Sequence, residues 1–565
     1  MNSKRLWIGC FLGFVGLQLA FFSNLMLRLE APQDMSPVGF IDIETAWHIE
    51  DTRTPVDELA DFSLCVDGIP LPYDRESLTF YYPLPLDSSH WPELALTSPA
   101  GSCVIAGLID DVTWDDKQSA IASSTRYELI AYDDTAYAYY GLVFTGLPAL
   151  SIHTQPQQEI TLDRISAQIR LYDPERADFT QAHSEIRLRG AGTLVNNQPK
   201  RGYRFWLTQQ GRIGQMVDQP LPLLGMSSLA SWNLLPIYAD PSLMREKAGL
   251  DIWKGFQTGA SDSFFGIQGE YVELFVDDVY CGVYLLGETV DKPALATRGH
   301  TSRFQQDYLY RGVAAWYDWA FRYEVYFDPH GKTADCGFQL RYPDYGSAQV
   351  PDEDWANLEN YLALRDTMDW ETFRSCAGEL LDVPSVVDYW LLLQALALTD
   401  NDFNNVNIWA RDTGSGYMLS LFPWDLSDSW GGLGGAASME QLMDDWVWEQ
   451  GEDTLLLYFG GIIPFRLTER VLAADINGSQ TYLAERWAQL RAGVLHDDAI
   501  AERFAVYLHQ LNDSGAALRD KEKWFGQAEY VTLGEDMILW LQVRCSLLDA
   551  YFEQMDWSSL WTQIE

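Results

Sequence analysis

The chain has 565 residues, 47% of them apolar and 14% aromatic, and sets 81 acidic against 38 basic side chains for a formal charge of −43. The length predicts two or three domains, and the apolar content excludes wholesale disorder. So acidic a surface repels phosphate backbones, which argues against nucleic-acid binding; a site for any anionic ligand needs its own basic groups or divalent cations.

Leu6–Leu27 carries no charge, and Gln18, Ser23 and Asn24 are its clearly polar members. It is long enough to span a bilayer as a helix. Lys4 and Arg5 precede it, so the positive-inside tendency places everything after Arg28 outside. Phe21, Phe22, Leu25 and Met26 leave no small-x-small cleavage site. Residues 1–30 therefore read as a membrane anchor, with a cleaved signal as the alternative. The first makes the protein membrane-anchored and extracytoplasmic; the second makes it secreted. Beyond Cys10, the cysteines are Cys65, Cys103, Cys281, Cys336, Cys376 and Cys545, with no C-x-x-C pair. That even number suits disulfides in an oxidising compartment and equally suits buried thiols; Cys65 with Cys103 is the pair to test.

Ala31 to Pro37 reads as a linker. Residues 38–140 alternate short apolar runs with turns, as in Phe62–Val66 before Asp67-Gly68, and predict a small β-rich accessory domain. The acidic cluster Asp110, Asp111, Asp115 and Asp116 reads as a solvated loop rather than a calcium site. From Leu147 longer strands are expected at Leu150–His153, Ile165–Leu171, Glu185–Arg189, Tyr203–Leu207, Val272–Val276 and Val283–Leu286, with a helix over Ser242–Lys254, making an antiparallel sheet with an interposed helix. After residue 350 the pattern turns helical. Asp382-Val383-Pro384 starts a helix running to about Leu398, proline standing in the first turn where its missing N–H costs nothing. Leu483, Trp487, Leu490 and Val494 make one helical stripe; Leu541, Cys545, Leu548 and Phe552 make another. A β-rich part followed by a helical part is α+β.

The chemistry-bearing residues cluster at Thr399-Asp400-Asn401-Asp402-Phe403-Asn404-Asn405-Val406-Asn407 and at Pro423-Trp424-Asp425. Asn407–Arg411 and Tyr417–Leu421 predict a hairpin through Thr413-Gly414-Ser415-Gly416, which brings Asp425 back beside Asn407. Phosphoryl transfer needs one carboxylate to position the attacking hydroxyl, and a second carboxylate with an amide to hold divalent ions against the phosphates. Asp402 and Asn407 stand in D-x-x-x-x-N spacing with Asp425 after the hairpin. Taken alone, that spacing is also what turn-forming Asn and Asp produce. There is no G-x-x-x-x-G-K-[ST] loop, no G-x-S-x-G elbow and no H-E-x-x-H among the eight His. Gly431-Gly432-Leu433-Gly434-Gly435 reads as a flexible loop. Asp400 with Asp402 lacks the fixed separation a glycosidase pair requires.

Several further motifs occur in one order: Arg187-Leu188-Arg189-Gly190, Pro199-Lys200-Arg201-Gly202-Tyr203-Arg204, Leu223-Leu224-Gly225-Met226, Trp232-Asn233-Leu234-Leu235, Tyr238-Ala239-Asp240-Pro241-Ser242-Leu243-Met244-Arg245, Val272–Val276 with Gly282–Glu288, Pro423-Trp424-Asp425, and Arg486-Trp487 with Arg519-Asp520 and Trp524. From about Leu147 to Phe552 the chain resembles the CotH kinase family. The resemblance implies a bilobal protein-kinase-like fold over residues 145–556, with an antiparallel β-rich N-lobe at about 145–290 and a helical C-lobe at about 291–556. It implies ATP and Mg²⁺ or Mn²⁺ as cofactors and a protein substrate with a Ser or Thr acceptor. Carried over by position, Asp402 is the catalytic base, and Asn407 and Asp425 are the metal ligands. Lys200, Arg204 and Arg245 are the phosphate contacts, because an acidic protein needs local positive charge there. Arg245 sits early in the expected helix, where a cation is unfavourable unless an anion faces it. Glu288 either lines the adenine hinge or pairs with a basic residue. Three positions depart from the family pattern: Ser427 replaces the second Asp of W-D-x-D, Asp400 replaces an Asn, and Trp206 replaces a basic residue. They leave a non-catalytic cell-surface or coat protein of the same fold as the alternative.

Overall fold

A computed structural model describes residues 35–37, 39–60, 62–87, 96–99, 105–109, 117–189, 198–211, 215–290, 306–313, 337–345, 350–398, 401, 404–430, 465–524 and 530–555. Leu6–Leu27, the Asp110–Asp116 cluster, Cys103 and Gly431–Gly435 lie outside them. Among the described residues no helix is long and apolar enough to cross a membrane. The described part is mixed α+β and divides into two compact units.

The first unit takes in the described residues of 1–82, 88–117 and 125–144. Strands dominate it, in a four-stranded sheet and in a larger one built around Arg126–Tyr132 and Ala136–Thr145. Its aromatic core stacks Tyr73 on Phe80 and sets Phe62 edge-on to Phe80, with Tyr140 alongside. One element was not expected from the sequence: the helix Ile43–Thr52. Asp42 caps it by accepting from the Thr45 amide at 2.7 Å, and Ala46 and Ile49 bury against Ile130.

The second unit holds residues 83–87, 118–124 and everything described from 145 onward. Its sheet has eight strands, the short Met216–Asp218 and seven longer ones: β1 (Ala149–Thr154), β2 (Ile165–Asp173), β3 (Asp178–Leu188), β4 (Tyr203–Gln210), β5 (Ser231–Leu235), β6 (Gly269–Val276) and β7 (Val279–Glu288). The order is β3-β2-β1-β6-β7-β5-β4, and β3 also pairs with β4, so the sheet closes into a barrel. The strands expected from the sequence in this region fall inside these, except that Arg189 lies one residue past the end of β3. The antiparallel sheet expected there holds for every strand pair but β1 with β6, which is parallel, and it closes on itself. Closure itself pairs two strands that follow one another in the chain, β3 and β4, whereas the parallel pairing of β1 with β6 joins segments more than a hundred residues apart, and local periodicity carries no record of such a pairing. In β2 burial alternates residue by residue, with Ala167, Ile169 and Leu171 facing in, whereas β5 is buried throughout. β2 therefore has one free face and β5 none. Each large apolar side chain fully buried here, such as Trp232, contributes about 1.5–3 kcal/mol.

Helix α1 (Arg245–Gly255) follows β5. A second sheet runs β9-β8-β10-β11, built from β8 (Tyr308–Gly312), β9 (Phe338–Tyr342), β10 (Val406–Asp412) and β11 (Tyr417–Pro423). The expected hairpin is β10–β11, in the register Asn407 opposite Phe422. Helix α2 (Val383–Leu396) starts at Asp382 with proline in its first turn, as the sequence predicts, and ends where Ala397 adopts a left-handed conformation. Asp388 on α2 takes a forked ion pair from Arg486 on α3 (Ser479–Arg491) at 2.8 and 3.0 Å. Leu483, Trp487 and Leu490 are buried on α3, and Val494 lies just past its end. The stripe Leu541, Cys545 and Leu548 is buried on α5 (Tyr530–Gln554).

Helix α4 (Ala516–Trp524) docks on the barrel through charge. Arg519 grips Glu273 of β6 with a fork at 2.8 and 2.9 Å. Asp520 accepts from the Val283 amide of β7 at 2.7 Å and from the Lys200 ammonium at 2.5 Å. This approach needs Gly282, whose φ is +91° and where a Cβ would stand 2.2 Å from the Asp520 carboxylate.

Candidate functional site

The β10–β11 hairpin returns the chain to its starting point. Pro423 faces Val406, and the Trp424 amide donates to the Asn405 carbonyl at 2.9 Å. Asn405 and Asp425 both hold left-handed backbone, with φ of 56° and 55°. Asn and Asp tolerate that region better than other side chains, and such outliers gather at functional sites. Ser427, at one of the positions that depart from the family pattern, donates its hydroxyl to Asp425 at 2.8 Å and so orients the carboxylate.

Helix α1 approaches this turn closely. A Cβ on Gly249 would stand 2.8 Å from the Leu426 Cβ, so only glycine admits the contact. The closeness lets Glu246 accept from the Leu426 amide at 2.6 Å. Glu246 is buried, and burial first and the neighbouring Asp425 second push its carboxyl up to about 8. Two carboxylates crowded in a low-dielectric setting suit a hard cation that takes oxygen ligands.

Two guanidiniums, those of Arg311 and Arg189, approach the Trp424 ring here. Arg311 on β8 stands opposite Asn407 on β10 and donates its Nε to the Asn407 amide oxygen at 2.9 Å. Its guanidinium lies 4.2 Å from the centre of the Trp424 ring, and Arg189 approaches the same ring at 5.7 Å. Burial, then Arg341, Arg189 and Arg204, push Arg311 well below its usual range, and Asp425 is the carboxylate that opposes them. A guanidinium keeps its proton at neutral pH, so the shift registers a buried cation short of compensation. Arg189 is lowered by burial and held up by Asp425 and Glu246.

The residues singled out from the sequence divide between this cluster and other places. Asp425, Asn407 and Arg204 belong to it, Arg204 through its field on Arg311 and a 3.3 Å bond to Ser231. Asp402 lies outside the described residues. Lys200 is fully buried with its ammonium on Asp520 and the Val283 carbonyl, in the α4 contact. Arg245 faces Asp240 at 3.9 Å, and its amide donates to the same carboxylate at 2.8 Å, which supplies the anion its helical position asked for. Glu288 accepts from the Ser227 and Gln268 amides at 2.9 and 3.0 Å and pins two loops. Trp206, at another departure, carries Arg164 at 3.6 Å, Arg204 at 5.0 Å and Arg187 at 5.6 Å.

Arg311, Arg341 and Glu246 were not singled out from sequence. Arg189 stood in a quoted motif without a role, and Glu246 is the neighbour of Arg245. Nothing local marks Arg311, whose partner is ninety-six positions away.

The donor set fits a divalent cation at Asp425 and Glu246. It does not fit one at Asn407, whose amide oxygen already accepts from Arg311 while its amide nitrogen faces the Phe422 and Pro423 carbonyls at 3.5 and 3.4 Å. Among the described residues no three His, Cys, Asp or Glu side chains converge as a ligand set.

A family model described as CotH kinase protein matches residues 186–546, more than half of the chain. No curated protein matches the chain significantly.

Proposed function

This chain belongs to the CotH kinase family, and from that premise we propose that it is an ATP- and divalent-metal-dependent phosphotransferase acting on Ser or Thr of a protein substrate. The barrel with α1 serves as the N-lobe of a kinase-like fold and the part from β8 onward as its C-lobe. The observation that carries the reading is the Asp425 turn, where crowded carboxylates meet a group of guanidiniums within an otherwise acidic chain. That combination suits a metal-bound polyphosphate, which brings both signs of charge to one place.

Each residue then has a task. Asp425, oriented by Ser427, holds the cation with Glu246 beside it. The bound ion would offset charge on the phosphates during transfer. Arg311 and Arg189 stack on Trp424 and meet phosphate oxygens. Asp402 positions the acceptor hydroxyl and takes its proton. Leu6–Leu27 tethers the protein outside the cytoplasm, or directs its secretion if cleaved.

The test incubates the purified chain with labelled ATP and Mg²⁺ or Mn²⁺, comparing wild type with Asp402→Ala and Asp425→Ala. Transfer that survives both substitutions rejects the assignment. The engagement of Asn407 by Arg311 favours a second reading, a nucleotide-binding relative without catalysis. In that case ATP with Mg²⁺ raises the Tm and no label moves.

A further inference from the structure

We infer that Arg311 takes the place of a second divalent ion at Asn407, so that this site holds a nucleotide polyphosphate with one metal ion and one guanidinium. The inference rests on the nucleotide reading above and specifies how that site is built.

Asn407 decides the point. The Arg311 Nε–H can only donate, so the side-chain atom of Asn407 that faces it has to be the amide oxygen. A reversed amide would set donor against donor and turn an acceptor toward the Phe422 and Pro423 carbonyls. The oxygen that would bind a metal therefore already holds a cation. The contact joins residues in register on two adjacent strands, and Asn407 is fully buried, so the pairing is set by the sheet. Trp424 fixes the guanidinium plane from one side. A divalent ion at the same oxygen would face that fixed positive charge at close range.

Arg311 also has unused capacity. It is 8% exposed, and its Nη2 is buried without a hydrogen-bond partner among the described residues. A buried donor left unmade is costly, and here Arg341, Arg189 and Arg204 add like charge to it. An oxyanion relieves both costs. Arginine suits phosphate oxygens because its donors form a planar fork. The shared ligand chemistry is a phosphate oxyanion, from a nucleotide or from free phosphate, and the arms below separate these sources.

The experiment has two readouts apart from activity. Mn²⁺ bound per full-length chain is counted by EPR at saturating non-hydrolysable ATP analogue. Binding of inorganic phosphate, tripolyphosphate and ATP is measured calorimetrically in EDTA, for wild type, Arg311→Lys and Arg311→Gln. The expected results are one Mn²⁺ per nucleotide and metal-free binding of tripolyphosphate. Arg311→Gln weakens that binding at least tenfold, and Arg311→Lys, which keeps the charge and loses the fork, falls between. Tighter ATP than tripolyphosphate identifies a nucleotide as the source; equal binding of inorganic phosphate identifies free phosphate and overturns the nucleotide part. Two Mn²⁺ per nucleotide, no metal-free binding by wild type, or unchanged binding by Arg311→Gln overturns the inference. The wild-type counts decide it even if Arg311→Gln fails to fold. Label transfer together with two Mn²⁺ per nucleotide would reject this inference and keep the phosphotransferase. Polyphosphate binding that depends on Arg311 without any label transfer would do the reverse.

Discussion

Two regions of the second unit bury charge, and they do so in opposite ways. At the α4 contact each charge meets its opposite: Arg519 with Glu273 and Lys200 with Asp520, all four nearly or fully inaccessible. At the Asp425 turn charges of one sign are pressed together. Glu246 sits beside Asp425, and Arg311 sits among Arg189, Arg204 and Arg341. A buried pair of opposite signs offsets its own field and leaves little net charge for a ligand. A buried group whose field stays open is costly until something else completes it. The difference separates structural charge from functional charge, and substitutions on each side test it.

The largest effect is expected at the closed region. Arg519→Ala leaves the Glu273 carboxylate, at 0% exposure, facing only the Tyr280 hydroxyl and whatever water enters. Breaking such a pair from one side costs about 3–5 kcal/mol. A urea or thermal unfolding curve should show this loss, and a cost under about 1 kcal/mol would mean that α4 is not held by its charges. At the open region the order reverses. Asp425→Ala should lower label transfer at least about a hundredfold, or roughly 2.7 kcal/mol, while moving the Tm less than Arg519→Ala does. A larger loss of stability than of transfer would place Asp425 with the structural charges.

Glu246 gives the comparison a pH dependence. Its carboxyl moves from 4.5 to about 8 on folding. Below about pH 4.5 folded and unfolded chains both hold the proton, and stability is unaffected. As pH rises from there to about 8, the unfolded chain releases a proton that the folded chain keeps, so stability falls; above about 8 the full penalty is present. Glu246→Gln should therefore match wild type at pH 4 and exceed it by about 2 kcal/mol at pH 9. That is less than half the ideal linkage value, because an ionised site relaxes and hydrates. Unfolding in denaturant at the two pH values measures it. Equal gains at both would assign the effect to packing.

What the sequence made legible follows from the range of the interactions. Helix α2 with its Asp382 cap and first-turn proline, the stripes on α3 and α5, and the β10–β11 hairpin all rest on contacts within a few residues, and they stand. The parallel β1–β6 pairing, the Arg311–Asn407 pair and the Lys200–Asp520 pair join residues far apart in the chain. Composition cannot tell a lysine that waits for phosphate from one buried on a carboxylate. The motif around Lys200 suggests a phosphate contact, whereas its partners in the fold are Asp520 and Val283. Asp425 was legible because the hairpin that returns it is local. Arg311 was not, because strand register alone brings it to Asn407.

Ser427 carries the smallest effect and the finest distinction. Where the family pattern has a second Asp, its hydroxyl donates to the Asp425 carboxylate at 2.8 Å. On the proposed function it would act on the cation through Asp425, by orientation. Losing such an outer contact costs metal affinity about tenfold at the lower end of the usual range, so Ser427→Ala should weaken Mn²⁺ by about that factor, read by EPR titration. Ser427→Asp restores the family residue but adds a further carboxylate beside Glu246 and Asp425. With metal present the added carboxylate should tighten Mn²⁺; without it, the crowding should push Glu246 higher still and lower the Tm. A variant that lowers the Tm equally with and without Mn²⁺ would show that the turn has no cation to receive. The open charges around Asp425 would then be strain without a ligand.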